Sequence, residues 1–298
     1  ILSKKEQVWM SHGDLVTELP KDFEILASTD TCKIAAFENN ERKLYGIQFH
    51  AEVAHTPKGS QILQNFVFGI CRAKKDWHIR NLVKKLVKET KKEVGKNSVI
   101  MGVSGGVDST VAATLLHKAI GNRLYCVFVD HGLIRKNEAD EVRNFFEKRL
   151  KFRHFHFVDA SHMFLERLRG IAEPEEKRKI IGHTFIEVFE SKVVELSKKH
   201  KNIKFLGQGT IYPDRIESAQ PTKYASKIKS HHNVTLPEKM KLKVIEPLKE
   251  FYKDEVRKLG KELKIPEEIL NRHPFPGPGL AIRILGEVTD ERLNILRE

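Results

Sequence analysis

One stretch constrains this chain more than any other: Ser104-Gly105-Gly106-Val107-Asp108-Ser109, set between an apolar run, Val99-Ile100-Met101-Gly102-Val103, and a helical pattern from Thr110 to Ala119. An apolar strand, a glycine turn and a helix start, in that order, make an anion site. Two consecutive glycines let the backbone turn tightly and expose its N–H groups, and the first helical turn adds unpaired donors with partial positive charge. A phosphate group would be held there by main chain. The stretch has neither the lysine of a Walker A loop nor the G-x-G-x-x-G spacing of a dinucleotide fold. A glycine-rich turn with no ligand has the same local pattern, and the rest of the chain decides between the two.

At 298 residues, 40% apolar and 8% aromatic, the chain is long enough for two domains and ordinary in globular composition. The formal charge of +13 suggests anionic partners such as nucleotides, phosphates or nucleic acid. The lysines are spread through helical patterns, for example Lys84-Lys85, Lys91-Lys92 and Lys198-Lys199, and most read as solvated faces. Cys32, Cys71 and Cys126 are too few and too far apart for a disulfide framework or a Cys-x-x-Cys metal site, which points to a reducing cytosol and a cytoplasmic protein. No uninterrupted apolar stretch reaches membrane-spanning length, and no signal peptide is evident. The chain begins at Ile1 in what reads as the middle of a domain, which suggests a fragment.

Residues 1–74 alternate short apolar runs with turns: Gln7 to Met10, Ile25 to Ala27, Lys33 to Phe37 and Leu44 to Phe49 read as strands, with Glu38-Asn39-Asn40-Glu41 a hairpin turn. After the last comes His50-Ala51-Glu52. A histidine and a carboxylate at a strand end can be a base and the group that orients it, or two ordinary loop residues. Together with Trp9-Met10-Ser11-His12-Gly13-Asp14, the run Tyr45 to Glu52 resembles the C-terminal half of the class I glutamine amidotransferases. That resemblance implies that His50 and Glu52 complete a triad with a nucleophilic cysteine. Cys32 and Cys71 lie after the place where that cysteine would fall, and neither has the family's Gly-x-Cys-x-Gly surroundings. The chain as written is therefore not expected to hydrolyse glutamine, since a base without its nucleophile forms no acyl-enzyme.

From residue 75 the period changes. Ile79, Leu82, Val83, Leu86 and Val87 mark an amphipathic helix closed by Gly95; Val111, Leu115, Leu116 and Ala119 mark another, stopped at Gly121. Leu124 to Asp130 is a nearly continuous apolar run of the kind buried in a parallel sheet, a helix face follows from Ala139 to Leu150, and Phe155 to Asp159 and Ile203 to Gly207 read as two more strands. The alternation predicts an α/β fold with a doubly wound parallel sheet over residues 75–278, whose ligands lie at the C-terminal ends of the strands. Three places then share one sheet edge: the glycine loop, Asp130-His131-Gly132, and Gly207-Gln208-Gly209-Thr210. Asp130 and Thr210 suit a ligand role and a cap or turn role equally.

The glycine loop resembles the pyrophosphate loop of the N-type ATP pyrophosphatases, which cleave ATP between the α and β phosphates. Further blocks, Pro174 to Gly182, Gly209 to Ser218, Ile228 to Asn233 and Arg272 to Leu280, resemble the GMP synthetase family in the same order. The resemblance implies ATP held by Ser104, Gly105, Gly106, Val107, Asp108, Ser109, Thr110, Val129 and Gly209, xanthosine monophosphate (XMP) contacted by Arg178, and Lys229 acting as a catalytic point charge on the ATP phosphates. Asp108 and Glu217 are the candidates for organising Mg²⁺, which takes one or two carboxylates plus phosphate oxygens, and the choice between them stays open. Lys177-Arg178-Lys179 at a helix start opposes the helix dipole and suggests an anion nearby. His231-His232 lacks the cysteines or spaced carboxylates of a zinc site. The polar segment Ser218 to Lys241 reads as a lid, and Ala281 to Val288 as a strand with a helix starting at Thr289. By resemblance residues 279–298 begin a dimerisation domain, so a homodimer is expected where that domain is complete. The implied reaction is adenylation of XMP by ATP, then displacement of AMP by ammonia from glutamine to give GMP. Its partners are small molecules, with no nucleic acid and no membrane. Two rivals are tRNA modification by adenylation, which the charge suits but which lacks well-placed cysteines, and a non-catalytic nucleic-acid-binding module.

Overall fold

The computed structural model describes residues 2–76, 78–219, 242–273 and 275–298, with the backbone alone for 217–219. It forms two compact units, Ile1–Trp77 and His78–Glu298.

In the first unit, β1 (Glu24–Ala27), β2 (Ala36–Asn39) and β3 (Leu44–Ile47) make an antiparallel sheet in that order. Glu38 and Asn39 belong to β2, and the turn falls on residues 40–43. Asn39 explains the shift: its buried amide donates to the Asp22 carbonyl at 2.8 Å and accepts from the Arg42 N–H at 2.8 Å, so it closes the hairpin from within the strand. The run Gln7 to Met10 supplies only an isolated antiparallel bridge, Trp9 to His50. Helix α1 (Gly59–Gln64) follows.

The second unit alternates as its periodicity predicts through α2 (Ile79–Val94), β4 (Ser98–Gly102), α3 (Val107–Ile120), β5 (Leu124–Asp130), α4 (Glu138–Asn144) and β6 (Phe155–Asp159); two successive helices, α5 (Ser161–Arg167) and α6 (Pro174–Lys199), then precede the expected strand β7 (Ile203–Gly207), and α7 (Tyr212–Ala219) and β8 (Lys243–Ile245) follow. These strands form a parallel sheet in the order β6-β5-β4-β7-β8. The pleat sends alternate side chains into two cores. Val99 and Met101 of β4 join Val111 and Leu116 of α3 on one face, while Ile100 joins Phe164 of α5 and Phe189 of α6 on the other. The first face is completed by α8 (Lys253–Glu262), through Val256 and Leu259, and by the short α9 (Glu267–Leu270). Among the described residues no helix is long and apolar enough to cross a membrane.

The strand expected at Ala281 to Val288 is a 3₁₀ turn, Gly279–Arg283, followed by bends. Ala281, Ile284 and Val288 are buried in the second core while Leu285 is exposed, and no sheet edge receives them. Instead Lys177 takes up the segment's carbonyls, as described below. Helix α10 (Asp290–Arg297) begins where its sequence indicated, with the Thr289 hydroxyl accepting the Arg292 N–H at 3.3 Å.

Candidate active site

The centre of the doubly wound sheet ends at the glycine loop. β4 runs out at Gly102, the Val103 N–H still donates to the Val127 carbonyl of β5 at 2.9 Å, and the chain then turns into α3. Gly105 makes the turn with φ of 74°, and a Cβ there would lie 2.5 Å from Val142 of α4, so both conformation and space demand glycine. Gly106 caps α3 in an extended conformation without a side chain of its own.

Side chains inside the loop brace it. The Ser109 hydroxyl donates to the Gly106 carbonyl at 3.1 Å, accepts the Ser104 N–H at 3.2 Å and lies 3.1 Å from the Ser104 hydroxyl, which accepts the Gly106 N–H at 3.3 Å. The Thr110 N–H is satisfied by the Gly106 carbonyl at 3.1 Å. Val107, Asp108 and Ser109, as the first three residues of α3, have no preceding turn to accept their N–H groups. Three open donors at a helix N-terminus, in a half-exposed loop, constitute an anion cradle.

Gly209 presses against this cradle from the end of β7. A Cβ on it would stand 3.2 Å from both the Cα and the N of Ser109, so a larger residue would press on the backbone of the first turn of α3. Val129 belongs to the same edge, but its side chain is buried in the second core, leaving only its backbone for a ligand. Asp130 and His131 form the adjoining turn. The Gly132 N–H donates to Asp130 Oδ1 at 2.8 Å, and the Leu133 N–H donates to His131 Nδ1 at 3.1 Å. Burial, reinforced by Asp159, pushes the Asp130 carboxyl above the usual range, and burial depresses the His131 pKa to about 4. Beside them lies a cavity of about 430 Å³, lined by Asp130, Arg135, Asp140 and Arg297 among others.

Asp108 is the chemically distinctive residue of the cradle. Its Oδ2 receives the Lys253 ammonium at 2.5 Å, while its Oδ1 is buried with no hydrogen-bond partner. An orphaned carboxylate oxygen next to open phosphate donors fits a hard divalent cation, whose remaining ligands would be phosphate oxygens. Among the described residues no group of three histidines, cysteines or carboxylates forms a metal cluster. The side chain of Glu217 and all of Lys229, His231 and His232 lie outside the described residues, as does the expected lid, Ser218 to Lys241, apart from the backbone of its first two residues at the end of α7.

Sequence reasoning missed Lys253 and Arg272. Arg272 reaches the Gly105 carbonyl at 3.5 Å and pairs with Glu141 at 2.7 Å, bracing the loop from outside. The signal for Lys253 was present: a lysine at the first residue of a helix opposes the helix dipole. The same rule misled at Lys177, which needs no anion. Lys177 is wholly buried, and its ammonium donates to the carbonyls of Ala281, Ile284 and Gly286 at 3.2, 2.8 and 2.6 Å. Acids at Glu175 and Glu176, with the Glu173 side chain capping the Glu176 N–H, already match the α6 dipole. Arg178 pairs with Glu175 at 3.0 Å on the exposed side of that helix.

In the first unit the strand-end pair does come together. His50 Nδ1 lies 2.8 Å from Glu52 Oε1, and the His50 main chain is pinned by its N–H to the Trp9 carbonyl and by its carbonyl to the Thr56 hydroxyl. The Glu52 main-chain N–H, with the His50 ring next, holds the Glu52 carboxyl below the usual range. A carboxylate on Nδ1 places the proton there and leaves Nε2 as the basic nitrogen.

Two family models match the chain: one described as glutamine amidotransferase class-I over residues 1–70, and one described as NAD synthase over residues 78–229. A glutamine-hydrolysing GMP synthase from Carboxydothermus hydrogenoformans is 54% identical over 298 residues, covering 100% of this chain and 57% of that protein. The enzyme of the same name from Aquifex aeolicus is 54% identical over 300 residues, with the same two coverages, 100% and 57%. The chain thus spans a little over half the length of these relatives. Among solved structures, an NMN synthetase from Francisella tularensis shares the fold at 14% identity and a TM-score of 0.50, over 74% of this chain and 94% of that one.

Proposed function

Since the chain belongs to the NAD synthase family, whose model its residues 78–229 match, we propose that its glycine loop holds the β and γ phosphates of ATP while an acceptor is adenylated, and that the acceptor is XMP. The cradle carries the first half of this reading: open N–H groups on Val107, Asp108 and Ser109 beside the orphaned Asp108 oxygen. The names of the relatives at 54% identity carry the choice of acceptor.

The xanthine O2 attacks the α phosphorus, the bond to the bridging oxygen breaks, and pyrophosphate leaves into the cradle. Ammonia then attacks C2, and AMP departs with the former O2, giving GMP. A carbonyl oxygen is a poor leaving group until it carries the phosphate. The protein's share is positioning and fixed charge. The three helix N–H groups meet negative charge as it builds on the leaving pyrophosphate. With the Ser109 proton on the Gly106 carbonyl, the Ser104 hydroxyl donates to Ser109 Oγ and would have to turn that proton away from Ser109 to donate it to a phosphate oxygen. When bound, Mg²⁺ would neutralise phosphate charge, with Asp108, and by the same reading Glu217, as its protein ligands.

Arg178 is assigned to the acceptor and Lys229 to the ATP phosphates, with Thr110, Val129 and Gly209 lining the nucleotide. His50 and Glu52 are assigned to a glutaminase triad whose nucleophilic cysteine this sequence does not contain, and which with that cysteine would supply ammonia. On this reading residues 1–74, 75–278 and 279–298 are parts of an amidotransferase, a synthetase and a dimerisation domain, in a cytoplasmic homodimer.

Incubating the chain with ATP, Mg²⁺, ammonia and XMP should release pyrophosphate and form AMP and GMP. Asp108→Asn and Ser104→Ala should each cut pyrophosphate release by about a hundredfold, the scale of losing one preorganised stabilising group. Release that is indifferent to XMP would overturn the acceptor, and no nucleotide-dependent release at all would sink the reading.

A further inference from the structure

The His50–Glu52 pair stands in solvent, its side chains 49% and 63% exposed, and an exposed ion pair holds little geometry of its own. The aim of the imidazole has to come from the main chain. Trp9 and His50 form an isolated antiparallel bridge, in which the His50 N–H donates to the Trp9 carbonyl at 2.9 Å. Two residues paired in this way ordinarily exchange both of their bonds. Here the return bond runs through a side chain: the Trp9 N–H donates to Thr56 Oγ1 at 2.9 Å, and that hydroxyl donates on to the His50 carbonyl at 2.6 Å. Thr56 is 3% exposed, and these two bonds use the proton and one lone pair of its hydroxyl. The same residue closes the loop that carries Glu52. Its N–H donates to the Val53 carbonyl at 3.1 Å and its carbonyl accepts the Gly59 N–H at 2.9 Å, while a Cβ on Gly59 would stand 1.8 Å from the Ala51 carbonyl oxygen.

We propose that Thr56 is a positioning residue for His50 and Glu52: its hydroxyl, inserted into the Trp9–His50 bridge, holds the main chain at the spacing that lets Glu52 keep the proton on His50 Nδ1 and leaves Nε2 basic. The proposal rests on the reading of this pair as a base and the carboxylate that orients it. Without the hydroxyl, the Trp9 N–H and the His50 carbonyl both lose their partner, and the nearest remedy is the direct bond between them. Making that bond closes the bridge and draws the His50 carbonyl toward Trp9, away from the loop that carries Glu52. The imidazole then loses its aim at Oε1, and with it the preference for one tautomer. The methyl group of Thr56 takes no part in these contacts, so the oxygen alone carries the effect.

The test uses the whole chain, isotopically labelled, and reads the His50 tautomer from long-range proton–nitrogen correlations at about pH 8, where an imidazole is neutral. The titration of the Glu52 carboxyl is followed alongside. The unaltered chain should show the Nδ1–H tautomer and a Glu52 carboxyl that titrates below its usual range. In Thr56→Val, which keeps the shape and removes the hydroxyl, the ratio of Nδ1–H to Nε2–H should fall about fivefold, a coupling of ordinary size for neighbours in one hydrogen-bond network. Glu52 should then titrate nearer its usual value. Thr56→Ser drops a buried methyl and keeps the hydroxyl, so it should lower the thermal midpoint and leave tautomer and titration as they were. An unchanged tautomer in Thr56→Val overturns the proposal, and so does a changed one in Thr56→Ser. If Thr56→Val does not fold, the unaltered chain still decides: its Trp9 amide should exchange about tenfold more slowly than open-loop amides, and exchange at the open-loop rate refutes the inserted hydroxyl. If His50 in the unaltered chain is mainly the Nε2–H tautomer, the base reading itself has failed. If it is Nδ1–H there and equally so in Thr56→Val, only the role of Thr56 is wrong.

Discussion

His131 follows β5 with its Nδ1 on the Leu133 N–H and its ring 5.6 Å from that of Phe164, and burial lowers its pKa from 6.5 to about 4. The unfolded chain takes up a proton near 6.5, while the folded chain refuses it until about 4. The unfolded state therefore binds more protons throughout that window, and stability falls as the pH drops through it, by about 3 kcal/mol in full from this residue. His117, His154 and His156 are lowered mainly by burial too and add to the same slope. The urea midpoint should fall between about pH 7 and pH 5, and His131→Asn, whose amide oxygen can still accept the Leu133 N–H, should lose less. An identical fall in both proteins would clear His131 of the effect. At this scale local sequence settles local geometry. Ser104 to Ser109 form a cradle because glycines and hydroxyls act within six residues of one another. Lys177 was misread because its partners lie more than a hundred residues away.

Between elements, Lys177 is the clamp. It holds the segment after Gly279 to the start of α6, and the other side of that segment is tied by the Leu280 N–H to the Leu133 carbonyl at 2.7 Å. Lys177→Met keeps the unbranched stem, one atom shorter, and removes all three donors. The abandoned carbonyls of Ala281, Ile284 and Gly286 should cost about 1–3 kcal/mol, seen as a lower thermal midpoint. Hydrogen exchange localises the effect: the Leu280 amide should exchange faster in the variant, while amides in β4 and α3 keep their order of protection. Unchanged exchange at Leu280 would refute the clamp. Element existence was legible from Ile79 to Asp159, where 3.6-residue and apolar-run patterns alternate, whereas α5 and α6 follow one another before β7 without a periodic reading in the sequence. The segment after Gly279 was not legible either, because apolar residues at 281, 282, 284, 285 and 288 suit a strand as well as any buried coil. What separates those outcomes is whether a sheet edge or a lysine takes up the carbonyls.

Across the molecule, both large apolar cores are built from residues of the second unit alone. Residues 78–298 expressed alone should therefore unfold in one cooperative step, with a urea midpoint, followed by far-ultraviolet circular dichroism, close to that of the same signal in the full chain. A broad, non-cooperative transition would show that those cores are not self-sufficient. The order of strands and helices, the anion cradle and the His50–Glu52 pairing were determined by the sequence itself, because each depends on periodicity or on neighbours within a few residues. Tertiary structure alone decided that Gly209 seals the cradle against Ser109, that Lys177 is a buried clamp with no anion, and that Lys253 stands on Asp108 from 145 residues away. Those contacts join elements whose spacing along the chain carries no period. Only the packing of α8 on α3, and of the last segment on α6, brings the charges within hydrogen-bonding reach.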